Sequence, residues 1–538
     1  MKYSIKLALL CLFVVASGST IAKNTIDTDK FRQLEEILPT PNTYRTASGA
    51  PGHQYWQQQV DYKINIQLDD KTQTLKGSET ISYTNNSPDT LRYLWIQLDQ
   101  NRLKRDSDNR LTSTAPSKKV TYRGLRNAIE STEFDGGNKI TQVAGSNAKA
   151  LPYVINGTMM RVDLPKALKS GDDVELNIKW NYKLHEQKVL GGRSGYEYFK
   201  EDDNYLYEVA GWFPRAAAYY DVMGWQNKQF LGNGEFTLEF GDYDVKITVP
   251  ADHIVAATGE LQNEKKVLSK TQLKRLAKAK NAKSPVMIVS PEEALANEKS
   301  RSSKTKTWHF KAKNVRDFAF ASSRKFIWDA QGYNEGGTDT MAMSYYPNEG
   351  NPLWERYSTE AIIHTMQQYN KYTFAYPYPV SISVHGPIGG MEYPMITFNG
   401  YRPTLDKKTG EKTYSRGTKY GLIGVIIHEV GHNYFPMIVN SDERQWTWMD
   451  EGLNTFLQFL AQQAWEEGYP SRRGHAPDIT KYMKSTNQVP IMTNSESILQ
   501  FGNNAYGKPA TALNILRETV MGRELFDFAF KEYAQRWK

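Results

Sequence analysis

His428-Glu429-Val430-Gly431-His432, separated by eighteen residues from Glu451 in Trp448-Met449-Asp450-Glu451-Gly452, is the stretch on which the reading of this chain turns. Leu422, Ile423, Ile426, Ile427 and Val430 recur at helical spacing and predict a helix over 419–438. On it His428 and His432 are i and i+4, so they project from one face, one turn apart. Glu451 opens a second predicted helix, whose apolar stripe is Leu453, Phe456, Leu457 and Leu460 and which Gly468 and Pro470 end. If residues 440–445 join the two helices as an antiparallel pair, Glu451 comes beside the histidines. Two imidazoles and one carboxylate are the usual protein ligands of a catalytic zinc, with the fourth position left to water. Glu429, next to the first imidazole, then reaches the water rather than the metal. The chain has only nine histidines, so a chance pairing at this spacing is rare. His53, His185, His253, His309, His364 and His475 show no such spacing and read as structural.

Upstream the pattern changes. Residues 60–68, 80–83, 94–98, 174–178 and 245–249 alternate apolar and polar side chains, as half-buried strands do. Turn clusters such as Asn85-Asn86-Ser87-Pro88 and Ser170-Gly171-Asp172-Asp173 separate them. Two more strands are predicted at 286–289 and 307–310, and helical patterns begin near residue 332. The expected architecture is α+β and multidomain: an antiparallel β-domain over 23–328, then an α/β catalytic domain over 329–538.

Composition narrows the function. The formal net charge of +8 owes much to residues 264–284, which carry eight basic side chains against one acidic. Aromatics are missing there, so this is not a nucleic-acid platform, and it reads as an exposed basic insertion or helix. At the N-terminus Lys2 and Lys6 precede an apolar run over residues 7–16 and then small residues to Ala22. That order predicts a signal peptide over 1–22 and a periplasmic or extracellular protein. The run is about half the ~20 residues a membrane span needs, so no transmembrane segment is expected in the mature chain. The single cysteine, Cys11, lies within the leader, so neither disulfides nor thiolate ligands are expected after cleavage.

With these residues in place the sequence resembles the M1 family of zinc aminopeptidases, gluzincins of bacterial secreted type. The zinc motif is one match. Gly389-Gly390-Met391-Glu392-Tyr393-Pro394 looks like the family's exopeptidase loop, and Tyr506-Gly507-Lys508-Pro509-Ala510 resembles its downstream tyrosine segment. Trp212-Phe213-Pro214 and Gly234-Glu235-Phe236 look like bacterial members. The resemblance implies a thermolysin-like catalytic domain and one zinc ion per chain on His428, His432 and Glu451. It implies Glu429 as general base and Tyr506 as oxyanion donor. Glu392 would bind the α-ammonium of peptides with a free N-terminus, with Gly389, Gly390 and Met391 lining the substrate path. The strand at 380–384 is expected to pair with an extended peptide. Tyr393 and Pro509 depart from the family's usual Asn and Gly, and Pro509 is expected to alter the turn after Tyr506. Glu208 is the candidate for the β-domain's contribution to the amine site, and His385 for the cleft lining. Helical residues 513–537 run to the end at Lys538, where family members continue, so the catalytic part is expected to be incomplete. A zinc endopeptidase on the same site, or an inactive binding module on a peptidase fold, stays open at this point.

Overall fold

A computed structural model describes residues 40–112 and 119–538; the leader read in residues 1–22 lies outside them. The alternation upstream becomes a seven-stranded sheet. In Gln59–Asp69 every second side chain, Val60, Tyr62, Ile64, Ile66 and Leu68, is buried, and the others face outward. Its partner Thr74–Thr84 runs antiparallel, in a register that sets Val60 opposite Tyr83 and Leu68 opposite Leu75. On its other side lies Gly241–Pro250, and that pair is parallel, so the sheet is not purely antiparallel. A parallel pair needs a crossover. Here the chain between the two strands builds further sheets before it returns. The β layers share a tryptophan seam: Trp180 Nε1 donates to the Trp212 carbonyl at 3.0 Å, and Trp212 Nε1 to the Phe318 carbonyl at 2.8 Å.

The second half is built on a six-stranded sheet in the order Val286–Val289, Ile327–Tyr333, Thr340–Tyr346, Val380–His385, Ile396–Asn399, Gly390–Tyr393. One of its edge strands thus comes from well before residue 328. The basic stretch just upstream forms the helix Lys270–Ala279, opened by a reciprocal Ser269–Gln272 cap. It is not wholly exposed, since Leu276 and Ala279 are buried. Val380–His385 is buried at all six positions and paired on both sides. Its backbone groups are therefore already used, and it cannot accept a peptide as an added strand. The edge that remains is Gly390–Tyr393, which carries Glu392.

The helices Leu353–Tyr372, Arg416–Gly431 and Leu453–Trp465 pack together beside this sheet. Arg416–Gly431 starts at Ser415, whose side chain accepts from Thr418 N, and stops seven residues short of the predicted end. Past Gly431 the chain turns: Pro436 has no N–H to continue the ladder, and His432 Nδ1 bonds the Phe435 carbonyl at 2.9 Å. Among the described residues no helix is long and apolar enough to cross a membrane.

Candidate active site

His428 Nε2, His432 Nε2 and Glu451 Oε2 converge. They stand 3.1 Å (His428 to His432), 3.1 Å (His428 to Glu451) and 3.3 Å (His432 to Glu451) apart. A tetrahedral ion with ligands at ~2.0–2.1 Å spaces those ligands about 3.3–3.4 Å apart, so the triangle fits a zinc-sized cation. The far nitrogens set the tautomers. His428 Nδ1 faces Gln458 Oε1 at 2.9 Å, and His432 Nδ1 faces both the Phe435 carbonyl and Asp450 Oδ1 at 3.0 Å. With a metal bound, each Nδ1 would carry the proton and each Nε2 would offer its lone pair to the centre. Asn454 Nδ2 donates to the His428 carbonyl at 2.8 Å and locks the helix end to the helix bearing Glu451.

The charges follow. Burial alone would raise the Glu451 carboxyl, but hydrogen bonds from His428 and His432 hold it well below the usual carboxylate range. Burial, then the charge of His432, lowers His428. Burial pushes Glu429 well above the carboxylate range, and the nearby Glu392 adds to this. Glu429 is outside the ligand triangle but forms a tight group with Glu392 and His432. Gly390 explains how the edge strand comes so close to it: a Cβ there would lie 2.5 Å from Glu429 Oε1 and 3.1 Å from Val425 Cγ2. Gly389 opens onto the cleft with nothing within 4 Å of such a Cβ, and Met391 lines the cleft beside it.

Tyr506 closes the opposite side. Its hydroxyl donates to Glu451 Oε1 at 2.5 Å, and its ring stacks 5.8 Å from that of His428. Burial, and then the Glu451 charge, keeps the phenol protonated far above neutrality. Pro509 follows directly on the π-helical residues Gly502–Gly507, at the start of the α-helical stretch Lys508–Ile515, and it packs under Gly452.

The amine side departs from the sequence reading. Glu208 does not line the cleft: its Oε2 accepts from Ile388 N at 3.0 Å and pins the loop before Gly389. Glu235 does line it, beside Arg193, Glu392 and the triangle, in a cavity of about 380 Å³. Carboxylate oxygens of Glu235, Glu392 and Asp450 all lie within 4.8 Å of one another, and all three residues are buried. Burial pushes Glu235 up to about 8, against the pull of Arg193, whose Nη2 donates to it at 2.7 Å. In the sequence Glu235 stands out only as part of a resemblance. It lies in an irregular segment with no periodicity to mark it, and only the docking of the β half against the strand Gly390–Tyr393 reveals its place. His385 also lies off the cleft, packed 4.8 Å from the Trp354 ring and 3.2 Å from Arg402 Nε.

The β-domain, the helical layer and the histidine–glutamate triangle together define a two-part fold with a candidate metal site in its cleft. Residues 354–538 match the Peptidase family M1 domain. That match takes in the residues of the ligand triangle and about a third of the chain. It is 23% identical over 220 residues to the mitochondrial Aminopeptidase 2 of Saccharomyces cerevisiae, a match covering 38% of this chain and 22% of the yeast protein. It is 25% identical over 195 residues to human Endoplasmic reticulum aminopeptidase 1, covering 34% of this chain and 20% of that one. The chain thus matches about a fifth of the length of these relatives. A crystal structure of an M1 zinc metallopeptidase from Deinococcus radiodurans superposes with a TM-score of 0.56 at 14% identity, over 91% of this chain and 89% of that one. That likeness shows the fold. A further structure of the Deinococcus protein is bound to Tyr-Ser-Ala, with a TM-score of 0.55 at 13% identity, over 91% of this chain and 89% of that one.

Proposed function

We propose that this chain is a zinc aminopeptidase that removes N-terminal residues from peptides. The observation that carries the reading is the pairing of a zinc-sized ligand triangle with a buried acidic pocket at one end of the same cleft. The triangle alone would serve any peptidase. The acidic pocket is what suits a substrate ammonium, so the exopeptidase reading stands ahead of an endopeptidase one.

His428, His432 and Glu451 would hold the zinc, which when bound supplies the positive charge that polarises the scissile carbonyl and acidifies water. The chain's own groups do the rest. Glu392 and Glu235 bind the α-ammonium by charge-assisted hydrogen bonds and set the cut one residue in. The free edge of Gly390–Tyr393 pairs with the substrate backbone. Glu429, acting as the carboxylate, takes a proton from the attacking water and passes it to the leaving amine; burial, which raises its proton affinity, makes it the stronger base. Tyr506 turns its hydroxyl from Glu451 to the developing oxyanion, a donor that does not ionise at working pH. Three intact ligands and an intact base weigh against an inactive binding module. The leader read in residues 1–22 supports export to the periplasm or beyond.

The test is hydrolysis of a leucyl-arylamide and of its N-acetylated form, before and after chelation and with zinc restored. The free amine should be cleaved only with metal present, and the acetylated form not at all. Equal cleavage of both would remove the aminopeptidase reading.

A further inference from the structure

The cleft has a second lobe. It measures about 630 Å³ and shares Gly389, His428, Glu429, Phe501 and Tyr506 with the first, so the two meet at the ligand triangle. It extends away from Glu392 and Glu235 along the helix Arg416–Gly431, and if an ammonium occupies the first lobe, the leaving half of the peptide enters this one. The helix face beneath it is stripped of side chains at Gly417, Gly421 and Gly424. A Cβ at Gly421 would meet the Tyr401 ring at 2.3 Å. Tyr401, which forms a wall, has φ of +72°, a left-handed conformation that a bulky residue rarely adopts. Trp354 Nε1 holds its carbonyl at 2.9 Å. Such strain persists where the surroundings overdetermine it, commonly at binding surfaces.

The charge of this lobe is the reverse of the first. Its lining includes Arg472 and Arg473, and Glu429 at the shared end is the one acid. Arg473 lies over the Tyr506 ring, 4.4 Å from its centre. Among the described residues, neither Arg473 nor Arg472 has a carboxylate within ion-pair distance or a hydrogen-bond acceptor. The buried arginines behave otherwise: Arg193 pairs with Glu235, Arg215 with Asp99 and Asp317, and Arg316 with Glu443. A guanidinium partly withdrawn from water and left unpaired beside a reaction centre is suited to an anion that arrives with the substrate.

We propose that Arg473, with Arg472 beside it, binds a carboxylate on the leaving side of the substrate. That carboxylate is either the C-terminus of a short peptide or an Asp or Glu side chain near the cut. The proposal rests on the aminopeptidase reading and names its substrate class: short peptides carrying an ammonium at one end and an anion close to the other side of the bond. The reach agrees. Arg473 lies 4.4 Å from the Tyr506 ring and that ring 5.8 Å from His428, so the guanidinium is no farther than about 10 Å from the His428 ring. Extended chain advances ~3.3–3.6 Å per residue, which places the anion within the first three residues after the cut. The opposed charges of the two lobes also align such a zwitterion before it docks.

The experiment compares kcat/KM for Leu-Gly-Gly, its C-terminal amide, and the amides of Leu-Asp-Gly and Leu-Gly-Asp, with a leucyl-arylamide as a reference lacking any carboxylate. Each is measured on the wild type and on Arg473→Gln, Arg473→Lys and Arg472→Gln. The acid should exceed the amide tenfold or more, mostly through KM. Arg473→Gln should bring the acid-to-amide ratio close to one, and Arg473→Lys should restore part of it. Because the ratio is taken within each variant, a general loss through the Tyr506 contact cancels. Preference for the free C-terminus assigns that source, and rescue only by an aspartate assigns the side chain. Equal turnover of acid, amide and aspartyl amides by the wild type would overturn the proposal and leave the aminopeptidase standing, as would a ratio that survives both glutamine variants. If neither the peptides nor the arylamide are cleaved by the zinc-loaded protein, both readings fall.

Discussion

Replacing Glu392 with Gln removes a charge from the amine pocket while keeping its shape. Glu392 is 3% exposed, and its Oε1 has no hydrogen-bond partner among the described residues, so the atom is open to the substrate. A hydrogen bond to a charged group contributes about 1.5–3 kcal/mol, and each ~1.4 kcal/mol is tenfold in rate. Glu392→Gln should therefore lower kcat/KM on a leucyl-arylamide by roughly 10- to 150-fold. Glu235 is already engaged by Arg193, so Glu235→Gln should cost less, about three- to tenfold. The assay is steady-state kinetics on free-amine substrates, with zinc content and melting temperature measured in parallel. Discrimination between free and N-acetylated substrates should fall by the same factors. Loss of activity with discrimination unchanged, or a larger effect at Glu235 than at Glu392, would refute the assignment of the amine site.

Three further outcomes are expected. Glu429→Gln should reduce kcat by about 10²–10⁴-fold with zinc content unchanged, because the residue stands outside the ligand triangle; metal analysis beside turnover checks this. Gly390→Ala should push Glu429 aside, given the 2.5 Å approach, and depress kcat at least tenfold with little change in melting temperature, since the new methyl faces a cleft. Glu239, buried and accepting from Tyr219 N at 2.8 Å, is pushed up to about 8 by burial, from an ordinary 4.5. Its fold-raised value means the native state holds a proton the unfolded chain loses. Its contribution is full below about 4.5 and is lost as pH rises through about 8, at ~1.4 kcal/mol for each pH unit crossed between the two values. Urea titrations at pH 5 and 9 should show that Glu239→Gln flattens this decline.

Half-buried strands announce themselves by alternation: those read over residues 60–68, 80–83, 174–178 and 245–249 lie within strands of the structure, and the one read over 94–98 overruns Leu91–Gln97 by one residue. The metal triangle was legible because one helix turn and a fixed spacing encode it locally. What depends on long-range assembly was not. Val380–His385 is buried on both faces, so it has no alternation, and its interior place in the sheet could not be told from an edge. The helix bearing the two histidines reads too long in the sequence because Tyr434, Phe435, Met437 and Ile438 continue its apolar pattern after the backbone has turned away at Gly431. Glu208 and Glu235 are both buried acids from the β half, and composition does not separate them. Only three-dimensional docking places one against a loop amide and the other in the cleft.

The pocket proposed for the substrate amine has split parentage. The metal triangle belongs wholly to residues 428–451, whereas Arg193 and Glu235 arrive from the β half and Glu392 from the sheet edge. On the aminopeptidase reading the seam between the halves is what would confer selectivity for N-termini, and loosening it should cost that selectivity before it costs metal binding.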